Sequence, residues 1–323
     1  EREAALEAIE DEDEALGVRY SHPSWMVRAF REALVAHGYP AGELIDVLKA
    51  DNEVPTVTLV ARPSLMTVDE LADEAEDVLD TRVAFGTVSP YAVLLESGDP
   101  ARLPSIRDGR CGAQDEGSQL AALIAASAPL DGGRDERWLD LCAGPGGKAA
   151  MLAGLAAKVG ARVTANEVHP HRARLVERTT RLLDSIEVVS GDGRSFGGGQ
   201  SAWPLASFDR VIVDAPCSGM GSMRRRPESR WNRTPADVAE LTQLQHELTE
   251  RAVALTRPGG VLTYVTCSPH AAETREQVER LTQRGEVELL DFQVGIGQTE
   301  EEFCLGTHHK VVINGVRVTQ RYF

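Results

Sequence analysis

Asp140-Leu141-Cys142-Ala143-Gly144-Pro145-Gly146-Gly147-Lys148 is the stretch whose reading decides the fold. An apolar run, Trp138 to Leu141, leads into it, and an Ala- and Leu-rich run, Lys148 to Val159, leads out. The first predicts a short strand and the second a helix, joined by a turn in which glycines let the backbone bend sharply and approach a ligand. The first amides of such a helix lack intrahelical acceptors and can meet a ligand's polar groups. Dinucleotides, nucleosides and phosphates are all bound by turns of this kind, and a plain tight connection has the same look. The spacing matches neither G-x-x-x-x-G-K-[ST] nor G-x-G-x-x-G, which disfavours nucleoside triphosphates and NAD.

Downstream, strand and helix alternate. Arg162 to Ala165 predicts a strand, Pro170 to Leu183 a helix, Ile186 to Val189 and Phe208 to Val213 two strands, Ala236 to Leu255 a helix and Val261 to Val265 a strand. This spacing predicts an α/β protein with a mostly parallel, Rossmann-like sheet covered on both faces, and ligands at the carboxyl ends of its strands. Upstream, Ala4 to Val35 reads as helical with a break at Ser21-His22-Pro23-Ser24, where Ser24 is a candidate N-cap. Strands around Val57 to Val60 and Tyr91 to Leu95 flank an acidic helix, Val68 to Leu79, forming a small α+β unit that ends in the turn-rich segment Ser97 to Gly109. The expected domains are therefore 1–35, a helical segment, 36–108, the small unit, and 109–323, the large α/β domain. Near the end, Asn314-Gly315 between two apolar triplets predicts a type I′ hairpin.

The chain has 323 residues, enough for two cores, and no apolar run approaches the ~20 residues of a membrane span. With no export signal and five cysteines, none in C-x-x-C spacing, the expectation is a cytoplasmic protein with reduced thiols, no metal and no membrane contact. It is expected to act as a monomer. The acidic opening from Glu1 to Glu14 reads as the stub of a longer protein cut in a solvated linker. A formal net charge of −16 argues against nonspecific nucleic-acid binding, so any contact with phosphates needs a local basic patch.

Acids stand at successive strand ends around the Gly turn. Glu167 follows it by about 20 residues, where a carboxylate can take ribose hydroxyls. Asp192 is placed to meet an adenine edge, and Asp214 ends the next strand. Any one of them could be a helix cap. Together they suit a nucleoside cofactor better than a pyrophosphate, which would call for cations. Two of the cysteines, Cys217 in Asp214-Ala-Pro-Cys-Ser-Gly219 and Cys267 in Val265-Thr-Cys-Ser268, lie just past apolar strands at the same edge. A thiol there can reach a substrate. Cys111, Cys142 and Cys304 read as small buried hydrophobes.

Asp140 to Lys148, Asp214 to Gly219 and Thr266-Cys267-Ser268 together resemble the signatures of the RNA (cytosine-5) methyltransferases, and within them the bacterial Fmu/Sun branch that acts on small-subunit ribosomal RNA. The likeness extends through Tyr20-Ser-His-Pro-Ser-Trp25, Ser89-Pro-Tyr91 and Gln114-Asp-Glu116, and so covers most of the chain. It implies a Rossmann-like class I methyltransferase preceded by a small RNA-recognition-motif-like domain. The implied cofactor is S-adenosyl-L-methionine, held by Cys142, Ala143, Gly144, Pro145, Gly146, Gly147, Lys148, Glu167, Asp192 and Asp214. Cys267 is the implied nucleophile at cytosine C6, Asp214 the group that hydrogen-bonds or protonates N3, and Cys217 the thiol of product release. Covalent addition breaks the ring's aromaticity and turns C5 into a nucleophile, which is why such chemistry needs a thiol.

Met223-Arg-Arg-Arg-Pro-Glu-Ser-Arg-Trp-Asn-Arg233 follows the Cys217 loop and concentrates five arginines around one Trp. Arg224, Arg225, Arg226, Arg230 and Trp231 are the candidate RNA contacts, for phosphates and base stacking; the alternative is a solvated loop with Trp231 in the core. The small domain shows no pair of strand aromatics, so it is expected to contact RNA by shape and backbone. Departures from the family pattern are the lack of an N-terminal helical RNA-binding domain, Glu167 where many relatives have Asp, and a tail, Phe303 to Phe323, unlike the usual terminal strand. Rival functions are the same reaction on transfer RNA, a noncatalytic RNA-binding or ribosome-assembly factor, and a small-molecule methyltransferase. The presence of both thiols disfavours the second, and the arginine-rich loop disfavours the third.

Overall fold

The computed structural model describes residues 8–285, 287–290 and 312–318. Helix α1 (Glu12–Tyr20) starts at Asp11, whose side chain accepts the Glu14 amide at 2.9 Å, and stops where Ser21 turns left-handed at φ 61°. Pro23 then fixes the entry to α2 (Ser24–Ala36). Ser24 is not the cap: it is the first helical residue, and its hydroxyl accepts Arg28 at 3.3 Å. A helix absent from the sequence reading, α3 (Leu44–Ala50), packs Leu44, Val47 and Leu48 against Met26, Val27 and Phe30 of α2. Met220 and Met223, just past the Cys217 loop, complete this cluster.

The small unit runs β1 (Val57–Ala61), α4 (Val68–Leu79), β2 (Val83–Phe85), β3 (Ala92–Leu95), α5 (Pro104–Asp108), β4 (Cys111–Ala113). Thr67 and Glu70 form a capping box that starts α4. The strands form an antiparallel sheet in the order β2-β3-β1-β4, the split β-α-β-β-α-β arrangement. Because β4 pairs with β1, a domain boundary at 108 cuts this sheet, and because α3 joins α2, one at 35 cuts the helical unit. Leu59, Ala61, Val93 and Leu95 pack on Leu71, Ala72, Ala75 and Leu79 of α4. On the other face Val60 enters a core with Ala121, Ala122 and Ala125 of α6 (Glu116–Ser127) and Met151 of α7 (Gly147–Val159). That face is covered by the large domain and not open for base stacking. Close approach is possible because Gly154 of α7 carries no Cβ, which would collide with the Pro63 carbonyl.

In the large domain β5 (Arg137–Asp140), β6 (Arg162–Glu167), α8 (Pro170–Thr180), β7 (Ile186–Ser190), β8 (Phe208–Asp214), α9 (Pro235–Leu255) and β9 (Thr256–Thr266) lie close to their expected positions. Five strands are parallel, in the order β7-β6-β5-β8-β9. The order reverses direction between β5 and β8, which opens the crevice where doubly wound sheets bind ligands. Helix α10 (Arg275–Gln283) and strand β10 (Val287–Leu289) escape the sequence reading.

The expected hairpin at Asn314-Gly315 does not form. Val312–Val318 is one continuous strand, β11, inserted antiparallel between β9 and β10, with Asn314 opposite Tyr264 and Gly315 opposite Thr263. Pairing on both sides outweighs the local turn preference of two residues. The rest of the tail flagged above, including Cys304, lies outside the described residues. Among the described residues, no helix is long and apolar enough to cross a membrane, and no cluster of His, Cys, Asp and Glu could hold a metal ion.

Candidate active site

The loop from β5 to α7 lies at the crevice. Gly144 donates its amide to Glu167 Oε2 at 3.1 Å, and a Cβ at position 144 would collide with that oxygen. Glu167, 3% exposed, also accepts the His169 amide at 2.9 Å and faces the Arg172 guanidinium at 3.6 Å; Arg172 in turn donates to the Gly144 carbonyl at 2.6 Å. Glu167 thus braces the Gly loop. Asn166 joins three strand ends by donating to the Leu141 and Gly191 carbonyls. Asp192 caps the short turn at Gly193–Ser195 and is bound by Arg194 at 2.6 Å, which holds its carboxyl below the usual range. The cap role and the adenine role compete for this side chain.

Asp140 opens the loop but is not among the expected cofactor contacts. Its Oδ1 accepts the Cys142 amide at 3.3 Å, while Oδ2 is buried without a partner. Burial, with the nearby charge of Asp214, pushes its carboxyl up to about 7. Cys142 has its thiol pushed well up by burial, and Cys111, bonded to Ser105 at 3.0 Å, is pushed up to about 11 by burial as well. Neither is a reactive thiol.

Lys148, in the first turn of α7, donates to Asp214 Oδ2 at 2.9 Å across the crevice. Burial alone would lower its ammonium, but the charge and hydrogen bond of Asp214 more than offset this and raise it. Cys217 and Cys267 meet beside this ion pair with their sulfurs 3.2 Å apart. Two thiols so close titrate as a unit. The first proton leaves below the ordinary thiol range, because the S–H of Cys267 donates to the Cys217 sulfur despite burial. The second is held far above that range by the same bond, by burial and by the Asp214 charge, with only Lys148 opposing.

The two cysteine loops are tied from below by residues that sequence reasoning missed. Ser218 donates its amide at 2.8 Å and its hydroxyl to Glu273, and shares a hydrogen bond with Ser268 at 3.0 Å. Gln245 of α9 donates to both Glu273 and the Pro216 carbonyl. Tyr264 of β9 donates to the Glu273 carbonyl at 2.7 Å, and Gly221 donates to the Cys267 carbonyl at 2.7 Å. Glu273 follows the Thr-Cys motif by six residues in a loop with no periodic signal, and only the tertiary structure brings it beneath Ser218.

The arginine-rich segment divides. Arg230 is a correction: it is 4% exposed and donates to the Ser21 and Asp51 carbonyls and to Asn52 Oδ1 at 2.7–3.0 Å, so it anchors the N-terminal helices and is not a surface for RNA. Arg225 is paired with Asp115. Arg226 is exposed, Arg224 partly so, and Trp231 is 65% exposed and therefore outside the core. The motifs far from the thiols have structural explanations. Glu116 accepts the Val88 and Ser89 amides, the Ser89 hydroxyl is bound by Gln119, and His22 is buried at 3.4 Å from Asp51.

The strand order and the Gly loop at the switch point define a Rossmann-like class I methyltransferase fold. The crystal structure of NSun6 from Pyrococcus horikoshii with SFG superposes with a TM-score of 0.71 over 90% of this chain and 98% of that one; at 16% identity this likeness bears on the fold alone. The family model described as 16S rRNA methyltransferase RsmB/F matches residues 128–312, and the chain belongs to this family. It is 52% identical over 272 residues to the Mycobacterium tuberculosis (strain H37Rv) protein named "Putative methyltransferase Rv1407", covering 84% of this chain and 56% of that one. It is 35% identical over 274 residues to ribosomal RNA small subunit methyltransferase B of Serratia proteamaculans, covering 82% and 58%. The chain thus spans a little over half the length of these relatives.

Proposed function

We propose that the chain transfers a methyl group from S-adenosyl-L-methionine to C5 of a cytosine in RNA, with small-subunit ribosomal RNA as the substrate. The observation that carries this is the pair of thiols 3.2 Å apart beside the Lys148–Asp214 ion pair, at the carboxyl ends of β8 and β9. Family membership supports ribosomal RNA over transfer RNA.

The crevice fits the cofactor. Asp140 Oδ2 is a buried acceptor with no partner, suited to a ligand's ammonium, and Gly144, where a Cβ would collide with Glu167, keeps that carboxylate against the loop. Asp140, Gly144 to Lys148, Glu167 and Asp192 would hold it. When bound it supplies an electrophilic methyl group on a sulfonium. Once its proton has passed to the Cys217 sulfur 3.2 Å away, Cys267 adds as thiolate to cytosine C6, and the ring's π electrons shift toward N3 and C5. The Lys148–Asp214 pair holds a proton and a hydrogen-bonding carboxylate at this point and stabilises the charge that develops on the ring. C5 then takes the methyl group. Water takes the C5 proton, whose bonding electrons restore the C5–C6 double bond and expel Cys267 as thiolate, while Cys217, in contact with that sulfur, returns a proton to it and so assists release. Trp231, Arg224 and Arg226 supply stacking and phosphate contacts at the rim.

Labelled methyl transfer to total RNA, followed by mapping of the modified base, tests this proposal. Label on C5 of a small-subunit rRNA cytosine, lost in Cys267→Ser, is expected. Full activity in Cys267→Ser, or label on adenine or an exocyclic amine, overturns it.

A further inference from the structure

We propose that Glu273 is the positioning residue that holds the Cys217 loop against the end of β9 and so sets the spacing of the two sulfurs. Its functional consequence rests on the cytosine-5 reading above.

Glu273 is fully buried, and the donors to its carboxylate are all neutral: the Ser218 amide, the Ser218 hydroxyl and the Gln245 side-chain amide. A buried carboxylate is costly unless well hydrogen-bonded, so its retention here calls for a reason beyond packing. The reason lies in what it holds together. A carboxylate only accepts, and its two oxygens here take three donors. The Ser218 hydroxyl faces both Glu273 and, at 3.0 Å, the Ser268 oxygen, which also accepts the His270 amide at 3.2 Å. Glu273 and Ser268 thus meet at Ser218, which joins the residue after Cys267 to the residue after Cys217. The other Glu273 oxygen holds Gln245, which reaches the Pro216 carbonyl on the far side of Cys217. The thiol loop is thus gripped on both sides of Cys217 by one carboxylate. Tyr264, bonded to the Glu273 carbonyl, fixes that carboxylate to β9.

A glutamine at 273 turns one accepting oxygen into a donor and so gives up either the Ser218 O–H or the Ser218 and Gln245 amides. The misplaced thiol is Cys217, since Cys267 is set by its strand. Adduct formation should then survive while release slows.

The test compares this chain with its Glu273→Gln, Glu273→Ala and Cys217→Ala variants. First, without RNA, diamide oxidises the two thiols to a disulfide and is itself reduced to the hydrazine; peptide mass spectrometry follows the Cys217–Cys267 bond. Glu273→Gln is expected to form it at least tenfold more slowly than wild type. Second, with small-subunit rRNA and S-adenosyl-L-methionine, the Glu273 variants should accumulate a covalent protein–RNA adduct as Cys217→Ala does, at least tenfold above wild type. A wild-type disulfide rate in folded Glu273→Gln, with no adduct while Cys217→Ala accumulates one, overturns the role of Glu273. If Cys217→Ala itself accumulates none, the cytosine-5 reading fails, and the disulfide rates still decide the placement. Should Glu273→Ala not fold by circular dichroism, Ser218→Ala breaks the same link and takes its place.

Discussion

Arg230→Met separates a structural cation from an RNA-binding one. The guanidinium donates to two backbone carbonyls, of Ser21 and Asp51, and to Asn52; the Asp51 contact is buried and the other two are part-buried. Methionine fills much of the volume but leaves the buried Asp51 carbonyl without this donor. A hydrogen bond from a charged group contributes about 1.5–3 kcal/mol, and the two part-buried acceptors can turn to water, so the loss should destabilise the fold by about 2–4 kcal/mol. Urea unfolding should show this as a lower midpoint with an unchanged slope. Anisotropy with a labelled rRNA fragment across a salt series supplies the second reading. Each phosphate contact contributes about 0.7–0.9 to the slope of log K against log salt. Arg230→Met should leave the slope of its folded fraction unchanged, whereas Arg226→Ala should lower it by about one contact and leave the urea midpoint within ~0.5 kcal/mol of wild type. An Arg230→Met protein as stable as wild type but with a reduced salt slope would refute the buried-anchor reasoning.

Gly144→Ala should abolish detectable cofactor binding in calorimetry, because the new Cβ forces Glu167 away from the loop, while circular dichroism stays native. Asp140 gives a pH signature. Its folded value is raised to about 7, so the folded state holds its proton more tightly than the unfolded chain; the stability this contributes is full below ordinary aspartate values and is lost as pH rises through 7. A cationic ligand favours the ionised form, so cofactor affinity should rise up to tenfold per pH unit below about 7 and level off above it. Calorimetry at pH 6 and 8 checks this, and Asp140→Asn should remove the dependence.

The parallel half of the fold is legible in the sequence because its strands are short apolar runs separated by amphipathic helices and punctuated by Gly. Trp138 to Leu255 reads almost to the residue for that reason. Elements held by tertiary contacts are not legible in the same way. The three-residue strands β2 and β4 carry no period, and β11 contradicts its own Asn-Gly turn signal once β9 and β10 pair with it. The site divides similarly. The Gly loop and the two cysteine motifs announce themselves by residue type and position, and the structure brings both thiols and the Lys148–Asp214 pair together. Asp140, Glu273 and Gln245 are ordinary residues whose importance comes from burial and from partners up to 55 positions away. Arg230 misleads for the opposite reason: composition marks it as an RNA contact, and burial removes it from the surface.

The most direct measurement of the central claim is the mass of the covalent species formed by Cys217→Ala with rRNA and S-adenosyl-L-methionine, digested to peptide and nucleotide. The account predicts a single methylated cytidine attached to the peptide containing Cys267, absent in Cys217→Ala/Cys267→Ser. Attachment through another residue, or transfer of the methyl group with no adduct at any time, would contradict it.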